Sequence, residues 1–297
     1  MQRVTGEPAP SDGEGAGAKR SPTELPMRVY SALVLIAIAL FLTATSVESF
    51  AVLITLFISA MAWEWGRLVR GEGLDTAFGV QITATAAAAI ATVQGCPACA
   101  LLAVIAGTVA VFLIRSAELE RPQAWWSAAG VYYAGFPAVA LIWIRGDPAY
   151  GWLAILYLFI IVWTTDSAAY LFGRWIGGPK LAPRISPKKT WSGLIGGALS
   201  AGLAGLVFAL IVNGAFSPQL ALMAIVLAVI SQLGDLGESA IKRIFGMKDT
   251  SGLIPGHGGV LDRIDGLLFA ALAAGLLAWA IDPANPGRAL LVWPQVL

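Results

Sequence analysis

Charge is the scarcest property of this 297-residue chain, with Asp, Glu, Lys and Arg together making up only 12% of it. A soluble globular protein carries about a quarter. That shortage excludes an ordinary water-soluble domain, and the 58% of hydrophobic residues fall into apolar runs of bilayer length. Histidine is nearly missing. His257 is the only one, so no second histidine can complete a zinc site, and no histidine pair is at hand for acid–base work. The two cysteines, Cys96 and Cys99, form Cys96-Pro97-Ala98-Cys99. The spacing matches a redox motif in form, but the βαβ pattern that motif needs is absent. An incidental pair or a local disulfide on the oxidising side of a membrane is expected instead. The net charge of +1 says little about partners, because sidedness carries the information.

At about 20 residues per crossing, apolar runs read as spans near 28–46, 49–66, 77–94, 98–115, 127–144, 151–171, 190–212, 220–241 and 266–282. The expected fold is therefore an all-α polytopic membrane protein of about nine transmembrane helices. With the N-terminus cytoplasmic and the C-terminus outside, only Arg145 and Arg288 of the 19 basic residues fall on the outer side, as the positive-inside rule requires. Residues 1–26 are rich in Gly, Ser, Pro and Glu and are expected to form a disordered cytoplasmic tail. The first span then reads as a retained anchor. Residues 27–148 form an N-terminal group of helices and 149–297 a C-terminal region that holds the polar chemistry.

That chemistry sits on the inner side, near 172–189 and 242–265. The eighth span ends Asp235-Leu-Gly-Glu238-Ser239-Ala-Ile-Lys242-Arg243, where Asp235, Ser239 and Lys242 fall at i, i+4 and i+7 on one helical face. Asp235 lies roughly 10 Å short of Lys242 along the axis. Such a carboxylate either forms an internal ion pair or serves a function, and ionisable groups within membranes are functional by default. The ninth span opens Asp262-Arg263-Ile264-Asp265. Asp262 as N-cap with Asp265 at N3 would suit the helix dipole, whereas the same pair facing Asp235 could hold a hard divalent cation. Between these spans, Pro255-Gly256-His257-Gly258-Gly259 can turn sharply and present backbone amides to phosphate. Upstream, Ser186-Pro187-Lys188-Lys189-Thr190 leads into a helix N-terminus, a place suited to a polyphosphate. The alternative is a basic loop that sets topology or touches anionic headgroups. Asp166, near the inner end of the sixth span, reads as a further buried carboxylate, either a metal or nucleotide contact or a partner for one of these lysines.

Taken together, Ser239, Lys242, Arg243, Lys248, Asp249, Pro255, His257, Gly258, Gly259, Asp262, Arg263 and Asp265 match the signature of the phosphatidate cytidylyltransferase (CDP-diacylglycerol synthase) family, which the chain resembles over roughly residues 150–282. The resemblance implies an enzyme that joins CTP to phosphatidic acid, using Mg²⁺, to give CDP-diacylglycerol and pyrophosphate in phospholipid biosynthesis. On that footing Asp235, Asp262, Asp265 and Asp166 are the expected metal ligands, for one cation or two. Lys242, Arg243, Lys248, Arg263 and Ser239 would act on the reacting phosphates. Ser186, Lys188, Lys189, Thr190, Asp249, His257, Gly258 and Gly259 would bind substrate. The implied partners are the two substrates and the bilayer, with no nucleic acid, and the implied site is the cytoplasmic face of the inner membrane.

Two other readings compete. Asp262-Arg-Ile-Asp265-Gly266 imitates the opening of CDP-alcohol phosphotransferases but lacks the residues that follow it there. An ion-coupled transporter would show an inverted repeat, and none is evident. Gly193 and Gly197 form a GxxxG face that permits close helix approach, inside one subunit or across a homodimer.

Overall fold

The computed structural model describes residues 24–118, 121–248, 250–253 and 258–292. The expected tail as far as residue 23, Asp249 and the stretch 254–257 with Pro255 and His257 lie outside them. Among the described residues, ten helices and one small hairpin follow in order: α1 (Glu24–Thr45), α2 (Val47–Arg70), α3 (Thr76–Val93), α4 (Pro97–Glu118), α5 (Arg121–Arg145), α6 (Gly151–Trp175), β1 (Lys180–Ala182), β2 (Ser186–Thr190), α7 (Trp191–Asn213), α8 (Pro218–Ile244), α9 (Leu261–Ile281) and α10 (Pro286–Leu291). Eight of them, α2 through α9, are long and apolar enough to cross a membrane, and α1 adds an apolar stretch over Leu33–Thr45. The all-α polytopic architecture is thus the one the apolar runs predict.

Capping residues punctuate the chain where it reverses. Ser46 alone separates α1 from α2, and its hydroxyl accepts from the Ser49 amide at 3.1 Å. Asp75 caps α3 through the Phe78 amide at 2.8 Å. Ser217 caps α8, with Pro218 in the first turn. Each spares an amide that the helix itself cannot satisfy.

Helix α5 is the most buried span and α4 the least. Small side chains from α3, α4 and α5, among them Ala88, Val104 and Val131, form a minor cluster. The main core joins Phe50 and Ile58 of α2, Leu141 of α5, Tyr157 and Ile161 of α6, Leu227 of α8 and Ala274 of α9, so both halves of the chain contribute to it. Several buried polar side chains donate to backbone carbonyls, which replace the missing water. Trp65 Nε1 donates to Trp126 O at 2.8 Å, Gln81 Nε2 to Gly130 O at 2.9 Å and the Tyr157 hydroxyl to Leu220 O at 2.6 Å.

The GxxxG face of α7 is used within the chain. A Cβ at Gly193 would stand 2.8 Å from Ala169 O of α6, and one at Gly197 would stand 3.0 Å from Thr165 O. Cys96 and Cys99 form a disulfide across the α3–α4 turn. The α6–α7 connection, read from the sequence as a basic loop, is an antiparallel hairpin pairing Lys180 with Thr190 and Ala182 with Ser186. Pro187 fits there because a two-stranded ribbon has only edges.

Candidate active site

Helix α8 brings four charged residues, Asp235, Glu238, Lys242 and Arg243, to one end of the bundle. Asp235, Glu238 and Lys242 follow at i, i+3 and i+7, so they share a face with Ser239. Lys242 Nζ lies 2.9 Å from Glu238 Oε2 and 2.7 Å from Asp262 Oδ1, with all three side chains largely buried. The ion-pair alternative for this helix is therefore realised at Lys242, but its partners are Glu238 and Asp262. Asp235 meets Lys189 of β2 at 2.5 Å.

Helix α9 starts two residues earlier than the capping alternative required. Its first residue is Leu261, and Val260 at the N-cap makes no side-chain cap bond. Asp262 is accordingly inside the first turn, where Oδ2 accepts from the Gly259 amide at 3.1 Å and from Thr250 Oγ1 at 3.1 Å. Three residues on, Asp265 is buried and accepts from the Gly266 amide at 2.7 Å. That places Asp265 beside α8: Asp235, Glu238 and Asp265 each offer a carboxylate oxygen, all within 4.8 Å of one another.

Three carboxylates so close repel by roughly 3 kcal/mol per pair at an effective dielectric of about 20, which a bound cation would reverse. One oxygen of the trio, Glu238 Oε1, is buried without a hydrogen-bond partner. An all-oxygen donor set with an unused lone pair suits a hard divalent cation. Of the four expected metal ligands, Asp235 and Asp265 belong to this cluster, and Glu238 joins it. Asp262 has instead both oxygens engaged by protein donors. Asp166, expected to be buried, is exposed, because it opens into a cavity and is not enclosed by helices.

That cavity has a volume of about 780 Å³, within the range of small-molecule sites. One end is charged, lined by Asp166, Asp235, Asp262 and Asp265 with Arg174, Lys188, Lys189 and Arg263. The other is apolar, lined by Leu35 and Ala39 of α1, Leu53 and Phe57 of α2, and Phe159 of α6. Thr190 reaches the wall, yet its hydroxyl caps α7 by accepting from the Gly193 amide at 3.1 Å. Ser186, Ser239, Arg243, Lys248, Gly258 and Gly259 are not among the lining residues. Arg243 and Lys248 are exposed. Arg243 reaches toward the hairpin, with Nε 3.4 Å from Ile185 O.

Of the glycine turn, only Gly258 and Gly259 lie among the described residues. The amides from Gly259 onward go to protein carboxylates: Gly259 to Asp262, and Val260 and Leu261 to Glu64 of α2 at 2.9 and 2.7 Å. Sequence reasoning passed over Glu64 and Glu238. Glu64 carried a signal, since Trp63-Glu64-Trp65 puts a carboxylate inside an apolar span. Glu238 stands i+3 from Asp235 and i−4 from Lys242 on the same helical face.

The sequence model of the cytidylyltransferase family matches residues 26–280. The chain belongs to the cytidylyltransferase family. Among its relatives is a protein of Brucella suis biovar 1 (strain 1330) named phosphatidate cytidylyltransferase, 42% identical over 254 residues that cover 84% of this chain and 91% of the relative. A protein of the same name from Rickettsia bellii (strain RML369-C) is 46% identical over 149 residues, covering 48% and 64%. Another from Haemophilus influenzae is 44% identical over 144 residues, covering 47% and 50%. The cytidylyltransferase match takes in α2 through α8 and nearly all of α9, and with them the acidic trio and the cavity.

Proposed function

We propose that this chain transfers the cytidylyl group of CTP to phosphatidic acid at the cytoplasmic face of the inner membrane, giving CDP-diacylglycerol and pyrophosphate. The observation that carries the reading is one cavity with a charged end and an apolar end. A water-soluble polyanion and a lipid can meet there, the acyl chains staying among α1, α2 and α6 because each CH₂ exposed to water costs about 0.8 kcal/mol.

The acceptor needs little activation. A phosphate monoester has a second pKa of about 6, so an ionised lipid phosphate oxygen can attack the α-phosphorus of CTP. That forms the new P–O bond, and the bond from the α-phosphorus to the bridging oxygen breaks as pyrophosphate leaves. Asp235, Glu238 and Asp265 would hold Mg²⁺, which when bound neutralises phosphate oxygens and the charge growing on the leaving group. Lys188, Lys189 and Arg263 line the cavity where the triphosphate would lie, and Lys189 can exchange Asp235 for a phosphate oxygen. Arg243 and Lys248 extend the cationic rim toward solvent. Lys242 and Asp262 hold each other and fix Glu238, so they support the cation site more than they touch phosphate.

Purified protein in detergent micelles with phosphatidic acid and radiolabelled CTP provides the test. Label should enter lipid with one pyrophosphate released per turnover, and only with a divalent cation present. Asp265→Asn should lower turnover by about 10–100-fold and shift the Mg²⁺ titration to higher concentration. Wild-type turnover and an unshifted titration in Asp265→Asn would remove the acidic trio from the reaction. Absence of label in lipid would remove the transferase reading itself.

A further inference from the structure

Glu64 lies on α2, outside the signature, and is fully buried. It stands six residues before the helix end at Arg70, or roughly 9 Å into the span. A carboxylate at such a position is costly unless donors replace its water. The donors all come from the segment that enters α9. Val260 and Leu261 donate their amides at 2.9 and 2.7 Å, Ser251 donates its hydroxyl, and Thr250 Oγ1 stands 3.5 Å away.

The first amides of a helix have no partners within it and form the positive end of its dipole. Helix α9 has no side-chain cap of its own at Val260, so the anion arrives from α2, a separation of 196 residues from Val260. The fit is close. A Cβ at Gly259 would lie 2.8 Å from Glu64 Oε1 and would overlap the Thr250 hydroxyl. The same hydroxyl is 3.1 Å from Asp262 Oδ2, and Asp262 Oδ1 accepts from Lys242, which pairs with Glu238. Glu64 is thus joined through Thr250, Asp262 and Lys242 to the acidic trio, while not lining the cavity itself.

We propose that Glu64 is a positioning residue for the transfer reaction: it sets where α9 begins, and so the directions in which Asp262 and Asp265 leave that helix. The proposal rests on the transferase reading. Glutamine at 64 would keep the shape but turn an N–H₂ group toward the amides of Val260 or Leu261, replacing an acceptor with a donor.

Full-length wild type, Glu64→Gln and Thr250→Val are compared in detergent by melting temperature, by kcat and KM for CTP, and by hydrogen exchange across residues 250–265. Glu64→Gln should melt near wild type and keep its KM for CTP, while kcat falls about 10²-fold, the scale of an ångström-sized misplacement. Exchange should quicken at Val260 and Leu261 and stay unchanged elsewhere. Wild-type kcat, or a loss of kcat that merely follows exchange quickened throughout the chain, would overturn the proposal. If Glu64→Gln does not fold, Thr250→Val decides. A drop in kcat of about tenfold or more with unchanged melting supports the relay, and wild-type kcat defeats it. If wild-type protein turns over no CTP, the transferase reading falls by itself. Unchanged protection of Val260 and Leu261 in Glu64→Gln would then separately remove the cap.

Discussion

Lys242 holds one cation between Glu238 and Asp262, at 2.9 and 2.7 Å, with its own side chain only 11% exposed. Removing that cation leaves two buried carboxylates facing each other beside Asp235 and Asp265. Lys242→Met should therefore destabilise the protein by about 3–5 kcal/mol, the usual cost of stranding one side of a buried ion pair, and thermal unfolding in detergent measures it. Retention of the wild-type melting temperature would show that the pair adds nothing. At this scale Asp235, Asp262 and Asp265 were legible, because a carboxylate in a charge-poor chain stands out. Their division of labour was not, since helical spacing places residues on a face without saying which partner the face meets. Glu238, i+3 from Asp235, and Glu64, a carboxylate within an apolar span, were visible as charged positions, but only packing showed which partners they meet.

Among the elements, α2 and α3 are tied together through Asp75. It caps α3 and also accepts two hydrogen bonds from Arg70, at 2.6 and 3.0 Å. Burial works against ionisation of this carboxyl, but the Arg70 hydrogen bonds, the Phe78 amide and the charges of Arg70 and Arg115 outweigh it and hold its pKa below the usual value. The linked stability is therefore fully present above the ordinary carboxylate pKa of about 3.9 and is lost as pH falls through the lower folded value. Melting temperatures taken from pH 6 down to the acid limit should fall more steeply for wild type than for Asp75→Asn, and parallel curves would refute the coupling. Helices α6 and α7 meet through glycine instead of charge. Gly193→Ala pushes a methyl against the Ala169 carbonyl, which as backbone cannot swing aside. A loss of about 1–3 kcal/mol is expected from such overpacking, read as a lowered melting temperature. The close approach was readable from GxxxG, but the partner was not. Likewise Ser186 to Thr190 showed its basic character in sequence while concealing a hairpin, because five residues with a proline carry too little periodicity to declare a strand.

For the whole molecule, the cavity joins elements far apart in the chain: α1 and α2 supply its apolar end, while β2, α8 and α9 supply most of its charged end. A bulky side chain at the apolar end should hinder lipid and leave nucleotide binding alone. Ala39→Trp is accordingly expected to raise KM for phosphatidic acid in mixed micelles with KM for CTP unchanged. Equal rises in both, or none, would separate the apolar end from the lipid substrate. Part of this division was foreseeable, since a lipid substrate demands a sideways path into the bilayer. The wall that α1 and α2 contribute was not, because their apolar residues look alike whether they face lipid, core or cavity.

The sequence by itself determined that the chain is a series of long apolar helices and in what order they come, although it expected about nine spans where eight of the described helices are long and apolar enough to cross. Those follow from the cost of placing unpaired polar groups in hydrocarbon, which acts residue by residue along the chain. Only the tertiary structure decided that Glu238 completes the acidic trio, that Asp262 serves Lys242, and that Glu64 caps α9. These depend on how each helix is rotated against its neighbours, and that rotation is set by packing between residues distant in the chain.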